Sequence, residues 1–283
     1  LSQFSTLQHE ADGLSAGLPP LMVEADHLAA SVSLGVHGRR RAGMGESFWQ
    51  FRRYASHDSS AAIDWRQSAK SQHIFVRERE WEAAQTVWFW RDASENMSFK
   101  SGAVSKRARA DLLLLALASI LVRGGERVGF TGMEGAPASS RLALTRMGRA
   151  MFASTNQALP PQVPFARGNQ LVWFSDFLDE GVFETMKRLS QQGLSGHLVR
   201  IIDPAEEDFP YSGRTRFESP RGEADEIFGR AERIRSAYRA RFTAHGEEVA
   251  SAATRLGWTC TVHRTDHAPQ GSLIALHAAI GGV

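Results

Sequence analysis

The loop Asp92-x-Ser94-x-Asn96 sets a carboxylate, a hydroxyl and an amide carbonyl on alternate residues, directly after the apolar run at 86–90. Alternate residues of a loop leaving a strand can aim their oxygens at one point. These are hard ligands, suited to a divalent ion such as Mg2+ or Mn2+. Asp176 follows a second apolar run, 170–174, and can add another carboxylate, directly or through water. The same two aspartates equally suit helix caps, because short polar side chains satisfy free backbone donors at helix starts; the pattern does not choose between the readings. An ion held by Asp92 and Asp176 could also activate water, as in a metal-dependent hydrolase, but no side chain nearby in sequence stands out as a general base. There is no Gly-x-x-x-x-Gly-Lys phosphate loop, no His-Glu-x-x-His and no Gly-x-Ser-x-Gly elbow, and Gly43-Met44-Gly45 lacks a preceding strand of the right kind. The ten histidines are scattered. No residue is assigned a catalytic role, and the chain reads as a binding protein rather than an enzyme.

The elements that must position this loop alternate strand with helix. Buried strands are expected at 86–90, 127–133, 170–174, 197–202 and 258–263, with a short extra one at Leu142 and Leu144. Helices are expected at 106–123, 145–159, 181–192, 223–245 and 247–256, with a helical tail from Ser272. Such alternation implies parallel β-α-β units: an α/β, doubly wound, mainly parallel sheet flanked by helices, with ligands at the carboxyl ends of its strands. The loops at Asp92 and Asp176 fall on that rim together. The segment at 73–80 alternates like an edge strand, and belongs to a small β-containing module before the main domain. The expected division is 1–83 for an N-terminal extension and small module packed on the main domain, adding antiparallel strands to its sheet through Ile74 to Arg77, and 84–283 for that domain. The acidic run Glu206-Glu207-Asp208 reads as a solvated turn.

Composition bounds the rest. Of 283 residues, 42% are hydrophobic and 23% charged, which is ordinary for a folded protein with a full core. The formal charge of +2 demands neither nucleic acid nor an anionic membrane. The basic run Arg39-Arg40-Arg41, with Trp49, Phe51 and Tyr54 nearby, reads as a solvated face rather than a base-stacking site. The one cysteine, Cys260, lies in an alternating Trp-Thr-Cys-Thr-Val segment and allows neither a disulfide within the chain nor a four-cysteine zinc site. The longest apolar stretch, 112–122, is too short to span a bilayer and suits a helix buried on most sides. No signal peptide is visible at the start, and a cytoplasmic location is expected.

Several short stretches, taken together, resemble a known family. They are Gly45-Glu46-Ser47-Phe48 with Arg53-Tyr54; Asp58 with Ile63-Asp64-Trp65-Arg66 and Ser68-Ala69-Lys70; Val76-Arg77-Glu78 leading to Asp92-x-Ser94-x-Asn96-Met97; Gly125-Glu126-Arg127-Val128-Gly129; Ser175-Asp176-Phe177-Leu178-Asp179; and Asp203-Pro204-Ala205-Glu206 with Phe209-Pro210. In order and spacing the chain, over roughly residues 35 to 270, resembles the domain of unknown function 58 family, whose C-terminal half has the von Willebrand factor A fold. The resemblance implies a metal-ion-dependent adhesion site on an Asp-x-Ser-x-Ser loop. Asp92, Ser94 and Asp176 match it and Asn96 replaces the second serine; of Thr131, Thr145 and Thr155, none stands in the Gly-Gly-Thr setting of the usual threonine ligand. It also implies a partner: a MoxR-type AAA+ ATPase, with this chain as adaptor or co-chaperone. Asp58, Asp64, Trp65 and Arg66 match the family as well and stand as a candidate partner-binding group. Their plain structural reading is that Trp65 anchors the small module on the sheet while Asp64 and Arg66 pair or cap.

Overall fold

The computed structural model describes residues 19–33, 48–55, 63–79, 84–219 and 225–281. The chain divides into a small unit, Gly38–Ala84, and a large one made of Leu1–His37 with Gln85–Val283. The first described helix, α1 (19–33), belongs to the large unit. Ala25, Leu28, Ala29 and Val32 recur at helical spacing and are buried. This helix therefore groups with the large unit rather than with the small module that follows it in sequence.

In the small unit, β1 (Phe48–Arg53) pairs antiparallel with β2 (Phe75–Arg79), and the one-turn helix α2 (Trp65–Ser68) lies between them in sequence. These strands form their own two-stranded sheet. Residues 75–79 therefore do not extend the main sheet as the sequence suggested. Ser68 ties the turn to β2, its hydroxyl accepting from Phe75 N (2.9 Å) and donating to Asp64 O (2.8 Å).

The large unit is built on β3 (Thr86–Arg91), β4 (Arg127–Phe130), β5 (Gln170–Ser175) and β6 (Ser195–Ile202), with β7 (Thr215–Phe217), β8 (Glu226–Phe228) and β9 (Thr259–Arg264) following. Five of these form one sheet in the order β4-β3-β5-β6-β9, every neighbouring pair parallel, while β7 and β8 make a separate antiparallel hairpin. The strand sequences Val-Trp-Phe-Trp, Leu-Val-Trp-Phe and Leu-Val-Arg-Ile-Ile suit a sheet buried on both faces. The connecting helices are α3 (Lys106–Arg123), α4 (Arg141–Ala153), α5 (Val182–Gln191), the short α6 (Pro204–Asp208), α7 (Arg235–Arg255) and α8 (Pro269–Ile280). With right-handed crossovers, α3 and α8 pack together on one face and α5 and α7 on the other. Because α1, α4 and α8 surround it, α3 buries its whole run from Ala110 to Leu121.

Three differences from the sequence reading have local causes. Leu142 and Leu144 lie at the start of α4, one exposed and one buried; alternation over three residues suits a helix start as well as a strand. Residues 226–228 form β8, so the helix begins later than its apolar spacing suggested. The two helices expected on either side of Gly246 are one, α7, because a single glycine costs a helix interior only about 1 kcal/mol; here it leaves room for the Arg200 side chain, which a methyl there would strike. Among the described residues no helix is long and apolar enough to cross a membrane.

Candidate functional site

In chain order the sheet runs from β3 outward to β4, then crosses to the other side of β3 for β5. The strand order therefore reverses between β3 and β5, and the crevice at their carboxyl ends is where such sheets take ligands. Asp92 leaves β3 and Asp176 leaves β5 at this point, with Asp92 N donating to Phe174 O (2.9 Å). Both carboxylates are almost fully buried. Asp92 Oδ1 accepts from Ser94 N (2.8 Å) and Oδ2 from the Ser175 hydroxyl (2.7 Å). Asp176 Oδ1 accepts from Leu178 N (3.1 Å). Both aspartates thus shape turns two residues on, rather than capping the next long helices, whose N-cap residues are Ser105 and Gly181.

The cation at this crevice is one that sequence reasoning missed. Lys106, the first residue of α3, is 1% exposed. Its Nζ lies 2.9 Å from Asp176 Oδ2 and 2.6 Å from Glu206 Oε1. Burial alone would pull the ammonium's pKa down, but the carboxylates of Asp176 and Glu206 outweigh it and hold the pKa above its ordinary value. Glu206 sits on α6, oriented by a capping box: its Oε2 accepts from Asp203 N (2.9 Å) while Asp203 Oδ1 accepts from Ala205 N (2.9 Å). Glu206 is thus drawn into the interior rather than solvated. Its neighbours Glu207 and Asp208 are half-exposed and pair with Arg264 at 2.7 and 2.9 Å. Asp203 also accepts from the amide and hydroxyl of Ser101, binding the loop after β6 to the loop before α3.

A second cation secures the Asp92 loop from behind. Arg107 Nη2 donates to the carbonyls of Ala93 and Ser94, each at 2.9 Å. Arg91, at the end of β3, pairs with Asp111 of α3 at 2.8 Å and donates to Met151 O at 2.7 Å. Among the described residues no cation pairs with the oxygens of Asp92. Burial, and then the neighbouring Asp176 charge, raise its pKa to about 6.

Asp92, Ser94 and Asp176 are therefore brought together. Ser94 Oγ is buried close to the Asp92 carboxylate without a well-aligned hydrogen bond. The remaining donors differ from those the resemblance implies. Asn96 lies half-buried in the 3-10 turn Glu95–Ser98. The Thr131 hydroxyl donates to Phe89 O (3.1 Å) and that of Thr145 to Arg141 O (3.4 Å), while Thr155 is exposed. Asp176, the second carboxylate, is held by an ammonium. This set does not fit a divalent ion bound in the implied manner: donors are missing, and a fixed positive charge already sits on Asp176. Among the described residues no group of three or more His, Cys, Asp or Glu could hold a metal ion.

The second group of candidates lies in the small unit. Asp64 is the N-cap of α2, its side chain accepting from Gln67 N (2.9 Å). Trp65 is 66% exposed, and Arg66 is exposed beside it. Asp58 and the basic run at Arg39–Arg41 lie outside the described residues.

A five-stranded parallel sheet with two acidic loops at its switch point defines an α/β protein. The family profile "Protein of unknown function DUF58" matches residues 50–248, more than half of the chain, and the chain belongs to that family. Two solved structures are similar over most of their own lengths. One is the conserved hypothetical protein BatB from Bacteroides thetaiotaomicron, with 15% identity, covering 70% of this chain and 98% of that one, at a TM-score of 0.40. The other is an aerotolerance-related membrane protein from Bacteroides fragilis, with 16% identity, covering 71% and 100%, at a TM-score of 0.38. No curated protein matches the chain.

Proposed function

We propose that this chain is a non-catalytic protein-interaction domain that engages its partner through the carboxyl rim of the sheet, and that it does so without a divalent ion. The observation carrying this reading is the Lys106 ammonium between Asp176 and Glu206. It supplies inside the fold the positive charge that a bound ion would otherwise bring to the crevice. The rim is then a finished, rigid surface, and an apolar cavity opens beside it. A metal-dependent hydrolase would need Asp92 and Asp176 together on an ion, and Asp176 is engaged with Lys106. The partner proposed, on the family resemblance, is a MoxR-type AAA+ ATPase, with this chain as its adaptor or co-chaperone. The test is a binding measurement between the purified chain and the MoxR-type ATPase of the same genome, with and without nucleotide and with and without EDTA. Complex formation insensitive to EDTA supports the proposal. No complex in any nucleotide state refutes the partner, and a complex abolished by EDTA refutes the metal-free rim.

A further inference from the structure

Beside the crevice, α6, the β7–β8 hairpin and α7 enclose a cavity of ≈ 730 Å³. Its walls are aromatic. Phe209 stacks on Phe217 with ring centroids 5.7 Å apart and meets Tyr238 at 4.7 Å; Phe228 closes the hairpin side, 5.8 Å from Phe217. Phe209 holds a left-handed backbone (φ 43°) at the end of α6, a conformation an aromatic residue keeps only when its surroundings over-determine it.

Among the described residues one charged group in this wall has no salt-bridge partner, although Glu206 and Asp176 lie near enough to act on its charge. Arg200 of β6 lines the cavity and is only 5% exposed. Its guanidinium lies over the Phe242 ring, 4.4 Å from the centroid. Its one hydrogen bond is a long one, from Nη2 to Phe242 O at 3.4 Å, and Nε is buried without a partner. Among the described residues no carboxylate comes within ion-pair distance of it. The nearby Glu206 also lines the cavity, but both its oxygens are engaged, one by Lys106 and one by Asp203 N. A buried cation with unfilled donors is costly to maintain, and a guanidinium fork is shaped for a carboxylate. Gly246 on α7 leaves room for the fork, since a methyl group there would overlap Nη1.

From this arrangement we infer that the cavity is a docking pocket for a partner segment presenting an acidic side chain next to a bulky apolar one, the carboxylate on Arg200 and the apolar group among Phe209, Phe217 and Phe228. A peptide segment is favoured over a free small acid because the apolar wall continues outward through Leu178, 46% exposed; the lining also holds two exposed residues of opposite charge, Glu226 and Arg241. The inference rests on the protein-binding reading above and names where and what that surface binds.

The probes are two dye-labelled peptides, Ser-Gly-Glu-Phe-Gly-Ser and its Gln-Phe counterpart, titrated with the whole chain. The Glu-Phe peptide is expected to bind with a Kd below about 1 mM, and its neutral counterpart about tenfold more weakly or less. Arg200→Gln should erase the difference. Gly246→Ala, which adds a favourable helix residue while displacing the fork, should weaken the acidic peptide and spare the neutral one. Equal binding of the two peptides, no binding by either, or discrimination that survives both variants overturns the inference. An ATPase complex that forms equally well with Arg200→Gln also overturns it while leaving the protein-binding reading standing, and absence of the complex alongside peptide discrimination refutes the ATPase partner while leaving the pocket standing.

Discussion

Replacing Lys106 by methionine keeps most of the side chain's volume and deletes its charge, so it isolates the electrostatics of the rim. The ammonium makes two charge-assisted contacts, at 2.9 and 2.6 Å, from a position 1% exposed. Its loss leaves Asp176 and Glu206 close together and without a cation, and breaking a buried pair from one side costs about 3–5 kcal/mol. Against a whole-domain stability of roughly 5–15 kcal/mol this is a large fraction. Urea unfolding is the assay, with the buried Trp90 and Trp173 as intrinsic reporters. Adding Asp176→Asn and Glu206→Gln to Lys106→Met should recover most of the loss, because the repelling charges go with their partner. Lys106→Ala goes further and opens space among the carboxylates. At about 100 times the Kd a bound ion adds about 2.7 kcal/mol, so Mn2+ should raise the Tm of Lys106→Ala and leave that of the parent unchanged. A Lys106→Met variant within about 1 kcal/mol of the parent would refute the pairing argument. Mn2+ stabilising the parent as much as the alanine variant would refute the claim that the ammonium stands in for the ion.

Three further outcomes follow from the same structure. His197 is buried, with Nδ1 2.9 Å from the Thr259 hydroxyl and Nε2 3.0 Å from Gln170 Oε1, and burial lowers its pKa to about 4. The unfolded chain takes up this proton first, so the neutral ring's contribution is intact above about pH 6.5 and is lost as the pH falls towards 4, worth about 3 kcal/mol over that window. Urea midpoints against pH should show the loss, and His197→Gln should lessen the slope, the rest coming from His263, whose pKa burial also lowers to about 4; an unchanged slope counts against burial of a neutral imidazole. Trp65→Ala removes a ring that is 66% exposed, so its Tm should stay within about 2 °C of the parent; a larger fall would mean the ring is packed. A panel of phosphatase and esterase substrates with added Mn2+ should show no turnover that Asp92→Ala abolishes, and Asp92-dependent turnover would restore the hydrolase reading.

The fold was legible because its signals were long and periodic. Lys106–Arg123 matches the expected helix end for end, and the strands at 86 and 170 start where their apolar runs start. The positions of Asp92 and Asp176 on one rim followed from the β-α-β alternation alone. What the sequence hid were contacts between residues distant along the chain. Lys106 reads as an ordinary helix-start residue, and nothing local reveals that it meets carboxylates 70 and 100 positions away. One composition signal was available: lysine occurs only four times in a chain rich in arginine, so a lysine at the head of the most buried helix was worth weighing. The acidic run Glu206-Glu207-Asp208 reads as a solvated turn before Phe209-Pro210; the capping box that turns Glu206 inward shows in Asp203-Pro204-Ala205-Glu206 only once a helix start is placed there. Gly246 was read as a helix break, although its role is to leave room for an arginine from a strand.

Lys106 and Arg200 pose opposite problems within one network, and that contrast yields a sharper test of the rim. An ammonium is a compact point charge with three donors that can turn to suit two carboxylates, whereas a guanidinium is a rigid planar fork. Lys106 occupies a closed space in which its two acceptors already sit at 2.9 and 2.6 Å, while Arg200 lines a cavity and its Nε is without a partner. Lys106→Arg keeps the charge but must fit a larger head into that space, so overpacking should cost about 1–3 kcal/mol, less than the methionine variant and clearly more than zero. Arg200→Lys should leave stability nearly unchanged while reducing carboxylate binding, because the lost fork matters only once a ligand arrives. If Lys106→Arg instead matches the parent in urea, charge alone holds the crevice together, and the fit of the ammonium between α3, β5 and α6 has no part in it.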